Sequence, residues 1–251
     1  KGQEMYCIRY MNVLLFLLLP LLAGCGTQSA MTDEVVKADA ELRDGAPQAA
    51  LEVLKHYLNE HPDDPKALTE LGKVNASMGR NQAAAIFFEK ALQHKPHSLE
   101  ATKGLAKIKL KIDPPQATVL LQDMVKRYPL DVQAWVDLGV SYDLQGQYVS
   151  AQAAYRKAMG LDPMKVSAQS NLGLSYVLSG QYAQALDILE PIAAAPDTTS
   201  SRVRANFALA QYLAGYRNNA RNTLMQDMPK AQANIVMASF SKFRTRPYVA
   251  Q

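Results

Sequence analysis

Residues 132–163 read VQAWVDLGVSYDLQGQYVSAQAAYRKAMGLDP. Apolar positions at helical spacing run from Trp135 through Leu138 and Tyr142. A Gly146 break follows, and a second apolar series runs through Tyr148, Ala151, Tyr155 and Ala158 to Pro163. That pattern predicts two short helices joined by a tight turn and closed by a proline. The unit recurs. Prolines stand in step along the chain at Pro62, Pro96, Pro129, Pro163, Pro196 and Pro229. A near-constant period of roughly 33–34 residues marks one helix hairpin copied along the chain, so the expected architecture is all-α.

Two further columns keep the same register. Small residues recur at Ala38, Gly72, Ala106, Gly139, Gly173 and Ala208, and alanines at Ala50, Ala84, Ala117, Ala151, Ala185 and Ala220. Helices that cross closely need small side chains where they meet, so the columns predict the contact point of each hairpin. Gly45, Gly79, Gly146, Gly180 and Gly215 lie between the columns and predict a left-handed end to the first helix. The third copy has Asp113-Pro114-Pro115 there, a cap followed by first-turn prolines. The prolines of the ruler are expected to stop each second helix.

These columns resemble the tetratricopeptide repeat. The copy at 132–163 matches its pattern at Trp135, Leu138, Gly139, Tyr142, Ala151, Tyr155, Ala158 and Pro163, and the second copy at Leu68, Leu71, Gly72, Ala84, Phe88, Ala91 and Pro96. The resemblance implies an α-solenoid of about six helix hairpins at 31–64, 65–98, 99–131, 132–165, 166–200 and 201–228. Residues 229–251 then supply a capping helix through Ile235, Val236, Met237, Phe240 and Phe243, and a tail from Arg244 to Gln251.

The first residues form a separate object. Lys1 is not an initiating residue, which leaves Met5 or Met11 as the expected start. Arg9 precedes the apolar run Val13 to Leu22, a secretory leader too short to span a bilayer. The run ends in Leu22-Ala23-Gly24-Cys25, which resembles a bacterial lipobox. The resemblance implies cleavage of residues 1–24 and a covalent S-diacylglycerol and N-acyl lipid on Cys25. Residues 25–30 are then expected as an anchored linker. By the rule for such lipoproteins, Gly26 gives no inner-membrane retention, so the expected location is the periplasmic face of the outer membrane. The only other cysteine is Cys7, inside the leader, so the mature chain is expected to hold no free thiol.

The formal charge of +4, from 27 basic and 23 acidic residues, comes without a basic run and argues against nucleic acid as a partner. No catalytic set is visible. His94 and His97 flank Lys95-Pro96 at a helix end, so neither a metal site nor another cofactor is expected. The acids Asp63-Asp64 read as caps, and Thr198 to Ser201 as a polar linker. A protein partner is expected instead, with no small-molecule substrate.

Family geometry places certain first-helix positions in a groove. Carried onto this sequence they are Lys66, Lys73, Lys103 and Lys107, then Val136, Val140, Leu174, Val177, Leu209 and Tyr212, with Asn171 and Asn206 set to meet a bound backbone. The expectation is a groove with one basic and one apolar end, suited to a segment with acidic and hydrophobic parts. A plainer account also fits: solvated lysines, and apolar residues that pack neighbouring helices. The Lys/Asn clamp that reads a terminal carboxylate in some chaperone-binding repeats is not evident.

The last third carries a narrower resemblance. Asn171 to Ser175, Gly180 to Ala185, Ser201-Arg-Val-Arg-Ala-Asn206 and Met228-Pro-Lys-Ala-Gln-Ala-Asn234 are similar to the TadD lipoproteins of the tight-adherence (Flp) pilus system. That implies a pilotin-like assembly factor that binds the outer-membrane secretin. The competing expectation is an anchored adaptor for peptidoglycan synthases or hydrolases.

Overall fold

The computed structural model describes residues 25–195 and 200–242, with side chains from residue 33. The leader 1–24, including Leu22 to Gly24 of the lipobox, lies outside the described residues. So do Pro196, Thr198, Thr199, Phe243 and the tail 244–251. The described residues form helices and turns without a strand. Contacts divide the chain into two compact units, one through Leu105 and one from Ala106.

The first unit contains α1 (Cys25–Arg43), α2 (Pro47–Glu60), α3 (Pro65–Ser77), α4 (Asn81–His94) and the start of α5 (Leu99–Ile112). The second contains the rest of α5, then α6 (Pro114–Arg127), α7 (Val132–Leu144), α8 (Tyr148–Leu161), α9 (Val166–Leu178), α10 (Tyr182–Ala194), α11 (Ser201–Leu213), α12 (Arg217–Leu224) and α13 (Lys230–Phe240). Among the described residues, six hairpins and a terminal helix are therefore present, as the period predicts. Residues 25–30, expected as a linker, instead open α1.

The turns follow the expected chemistry. All five turn glycines have φ between 72° and 96°, the left-handed region where a side chain is strained. The amide after each glycine closes the helix end, as in Arg80 N–H to the Asn75 carbonyl at 2.9 Å and Gln147 N–H to that of Tyr142 at 2.9 Å. In the third hairpin Asp113 caps α6 by accepting from the Gln116 N–H at 3.2 Å. Asp64 caps α3, accepting from Lys66 and Ala67 amides at 2.7 and 3.0 Å. Asp63 is not a cap; it meets His94 Nε2 at 3.3 Å. Ser200 is more than linker, since its hydroxyl caps α11 at the Val203 N–H.

The ruler prolines sit just past α2, α4, α6 and α8 and stop them. Pro229 differs. The last second helix ends early at Leu224, and Pro229 forms the N-cap of α13.

Every residue of the two small columns is buried. What fills the space left by the glycines, however, is a large side chain one turn beyond the alanine. A Cβ on Gly72 would lie 2.7 Å from the Phe88 ring, one on Gly139 2.4 Å from the Tyr155 ring, and one on Gly173 2.4 Å from Leu189. Where the first column is alanine, leucine takes the large position: Leu54 with Ala38 and Leu224 with Ala208 share their clusters. Gly104 extends the device, since its Cβ would also meet the Phe88 ring, at 2.4 Å. Overpacking such a site costs about 1–3 kcal/mol.

The terminal helix caps the last hairpin with Ala233 and Met237, helped by Val236 and Phe240. Ile235, expected among them, is 71% exposed. Arg204 grips the Asp227 carboxylate in a bidentate pair, and Arg221 Nε donates to Asn234 Oδ1 at 3.1 Å. The cap is thus fixed by polar contacts as well as apolar ones.

One polar group in the second unit holds its proton more tightly than a free carboxyl does. Asp143 accepts from the Tyr155 hydroxyl at 2.9 Å and the Ser175 hydroxyl at 2.7 Å, so it joins α7, α8 and α9. Burial pushes its carboxyl up to about 6, against the opposing pull of these two hydrogen bonds. The folded state therefore holds this proton more tightly than the unfolded chain. The associated stability is present below the unfolded value near 3.8 and is lost as pH rises through about 6. The expected loss is on the order of 2 kcal/mol. Asp143→Asn should flatten the fall in melting temperature between pH 4 and 7; an unchanged pH profile of thermal unfolding would refute this assignment.

Candidate functional site

In the second unit, the first helices of three successive hairpins, α7, α9 and α11, enclose a depression of about 410 Å³. Its apolar lining is the half-buried Val140 and Val166, over a floor of Val136 and Val203 that are 2% and 3% exposed. β-Branched residues hold few rotamers in a helix, so this surface is stiff before anything binds. Its polar surface includes Ser170, Asn171, Asp137 and Arg202. Several polar groups are already occupied. Gln133 Nε2 donates to Asp137 Oδ1 at 2.8 Å, and Asn206 Nδ2 to Ser170 Oγ at 3.0 Å.

The first unit has its own depression, about 300 Å³, between α1, α3 and the start of α5. Lys66, Lys95 and His97 edge it, and Glu70 and Glu100 face it. Lys73 does not join the lysines as a free cation. Its Nζ donates to Glu70 at 2.7 Å and lies 3.5 Å from Glu100. Burial raises the Glu70 carboxyl above its ordinary range, with Lys73 pulling the other way. Burial alone would lower Lys73, but the pairing with Glu70 leaves it raised. Glu70 Oε2 is buried without a hydrogen-bond partner among the described residues. This region is therefore mixed in charge, not the plain basic end that sequence suggests.

A family model described as tetratricopeptide repeat matches residues 35–98 and 113–164, and a second of that description matches 144–206. Together they span more than half of the chain. The chain belongs to the tetratricopeptide-repeat family. No curated protein sequence matches it. Among solved structures, MamA from Desulfovibrio magneticus RS-1 is 28% identical, covering 64% of this chain and 92% of that one, with a TM-score of 0.60. A tetratricopeptide repeat protein from Parabacteroides merdae is 17% identical over 85% of this chain and 86% of its own, with a TM-score of 0.73. PilF from Pseudomonas aeruginosa is 15% identical over 86% of this chain and 99% of its own, with a TM-score of 0.71. The last two show the fold alone. Tetratricopeptide repeats are scaffolds for protein–protein interaction, and the chain is such a scaffold.

Against this geometry the expected groove residues of the repeat array separate. Val140 and Asn171 come together in the depression of the second unit, and Val136, 2% exposed and part of the core, lies at its floor. Leu174 is half-buried against the core beneath it. Val177, with no exposed surface, and Leu209, 7% exposed, belong to that core and not to the groove. The reason is geometric for Val177. Its counterpart one repeat earlier, Asp143, reaches across to the next first helix at Ser175, and Val177 occupies the same place in its own repeat. Tyr212 is taken by the cap: its ring packs edge-on to Phe240 at 5.7 Å, with Arg217 over its face at 5.4 Å. Asn206 spends its amide on Ser170. Lys66 is exposed at the first depression, Lys103 is half-buried on α5, and Lys107 is exposed on it. Cys25 is the first residue of α1.

Residues missed from sequence include Gln133, Ser170 and Arg202. A helical wheel shared across repeats could have found them, since Ser170 stands one repeat after Val136. No group of three or more metal-ligating side chains converges among the described residues, and no described helix is long and apolar enough to cross a membrane.

The division between groove and core can be measured. Val177→Asp buries an unpaired charge and should lower stability by several kcal/mol. Val140→Asp should leave helical circular dichroism and melting within a few degrees of wild type. Equal destabilisation by both would place Val140 in the core.

Proposed function

We propose that this chain is a lipid-anchored periplasmic scaffold of the outer membrane that serves assembly of the tight-adherence (Flp) pilus, holding a segment of the secretin in the manner of a pilotin. The observation that carries the binding part is the α7–α9–α11 depression. It offers the half-buried Val140 and Val166 over a floor of Val136 and Val203, beside the amide of Asn171, which has no partner among the described residues. Such a surface suits an extended or helical segment with apolar side chains and a backbone to be satisfied.

The anchoring part rests on Leu22-Ala23-Gly24-Cys25 directly after an apolar run. Each buried acyl methylene contributes about 0.8 kcal/mol, so several chains hold a protein on a bilayer where one would not. A groove for one partner and a lipid for the membrane raise that partner's local concentration at the membrane without any turnover. The pilus part rests on the sequence signature of the last third. Some of that signature is structural here: Arg204 and Asn234 fix the cap. Arg202 is not spent in this way.

The test is a deletion strain complemented with wild type or Cys25→Ser. Wild type should restore surface pili and heat-stable secretin multimers. Cys25→Ser should leave the product unacylated and the multimers at the level of the deletion. Intact pili and multimers in the deletion, with the wild-type protein purifying alongside peptidoglycan enzymes instead, would overturn the proposal.

A further inference from the structure

Three polar side chains in the second unit's depression, Ser167, Asn171 and Arg202, are left over once its internal hydrogen bonds are made. Asp137 is held by Gln133, and Ser170 by Asn206. Asn171 and Arg202 form no hydrogen bond or ion pair among the described residues. The contrast within Ser201-Arg-Val-Arg is sharp. Arg204 is committed to Asp227, whereas Arg202 is exposed at the groove. Arg202 also sits in the first turn of α11, where a cation opposes the helix's positive end. Helix stability does not favour that placement.

We propose that Arg202 and Asn171 read a carboxylate on the bound segment, so that the groove selects a protein segment with an aspartate or glutamate beside β-branched or other apolar residues. The inference rests on the groove reading above and adds the chemistry of its occupant. A guanidinium offers paired donors that match a carboxylate, and the Asn171 amide can donate alongside it or serve the backbone next to it. Val140 and Val166, the half-buried valines of the depression, accept the neighbouring apolar side chains. The preference belongs to an arginine at the entry of the last hairpin, not to the lysines of the earlier repeats.

Random octapeptides displayed on phage, selected against the full-length protein in detergent, test this directly. Enriched sequences should carry Asp or Glu next to Val, Ile or Leu. A synthetic peptide of the enriched sequence should bind about tenfold more tightly than its Glu→Gln counterpart, and that margin should shrink with added salt. Arg202→Gln, with helical circular dichroism unchanged, should bind both peptides alike, and Asn171→Ala should weaken both. Apolar enrichment without acids, or a margin that survives Arg202→Gln, would overturn the carboxylate site and leave the groove standing. Enrichment of no sequence, or of sequences whose binding ignores Val140→Asp, would overturn the groove reading as well.

Discussion

Each hairpin depends on one steric exchange: bulk is removed from the first helix so that a large side chain from the second can enter. At Gly72 and Gly139 the intruder is an aromatic ring, Phe88 or Tyr155, and at Gly173 it is Leu189. In the first and last hairpins alanine and leucine share the volume differently. The exchange fixes more than distance. A ring seated against bare backbone admits one crossing geometry, because interiors pack as densely as crystals and few other arrangements leave no void. Turn glycines and proline stops set where helices end. The exchange sets how they meet.

Stacking neighbouring hairpins in the second unit adds a polar layer to this. Thr118 donates to Ser141 at 3.0 Å, and Gln152, the counterpart of Thr118 one repeat later, donates to Ser179 at 3.1 Å. Asp143 ties three helices through hydroxyls, with no hydrogen-bonded cation among the described residues. Such groups add little net stability, but each is costly if misplaced, because a buried polar atom without its partner loses the full desolvation term. They therefore discriminate the right register of hairpin on hairpin. Apolar contacts alone tolerate sliding more readily.

The fold was legible in the sequence because its determinants are local and repeated. The ruler prolines, the turn glycines and the two small columns each state a backbone requirement at a fixed interval, and periodicity multiplies a weak signal. The groove was legible only in part. Val136, Val140 and Asn171 lie on the helix face that the repeat geometry assigns to it. Val177 lies one turn further on, and whether that turn faces solvent or the next helix depends on how adjacent repeats stack. Tyr212 is covered because Phe240 of α13 packs on its ring; α13 meets α11 as α9 meets α7 and α11 meets α9, but it follows no repeat column in sequence. Lys73 was placed at a basic end of the groove although two acids hold it. Glu70 lies one turn back on the same helix, where a helical wheel shows it, but Glu100 comes from α5 and is invisible to any local pattern. End effects and long-range pairing are what a repeat pattern averages out.

The distribution of satisfied and unsatisfied polar groups then gives the groove its direction. A surface built only for stability would pair its amides and guanidinium groups internally, as Asn206 does with Ser170 and Arg204 with Asp227. The α7–α9–α11 depression leaves a planar cation and an amide beside two stiff, half-buried valines, Val140 and Val166. Water serves those polar groups well and the valines badly. A bound segment reverses the second term while matching the first, so apolar burial supplies the drive and the polar pair sets which segment is accepted. Helices whose cores are closed by Leu189 against Gly173 and by Leu224 beside Ala208 hold that pair in place before the partner arrives, and the ordering cost of association falls mainly on the partner.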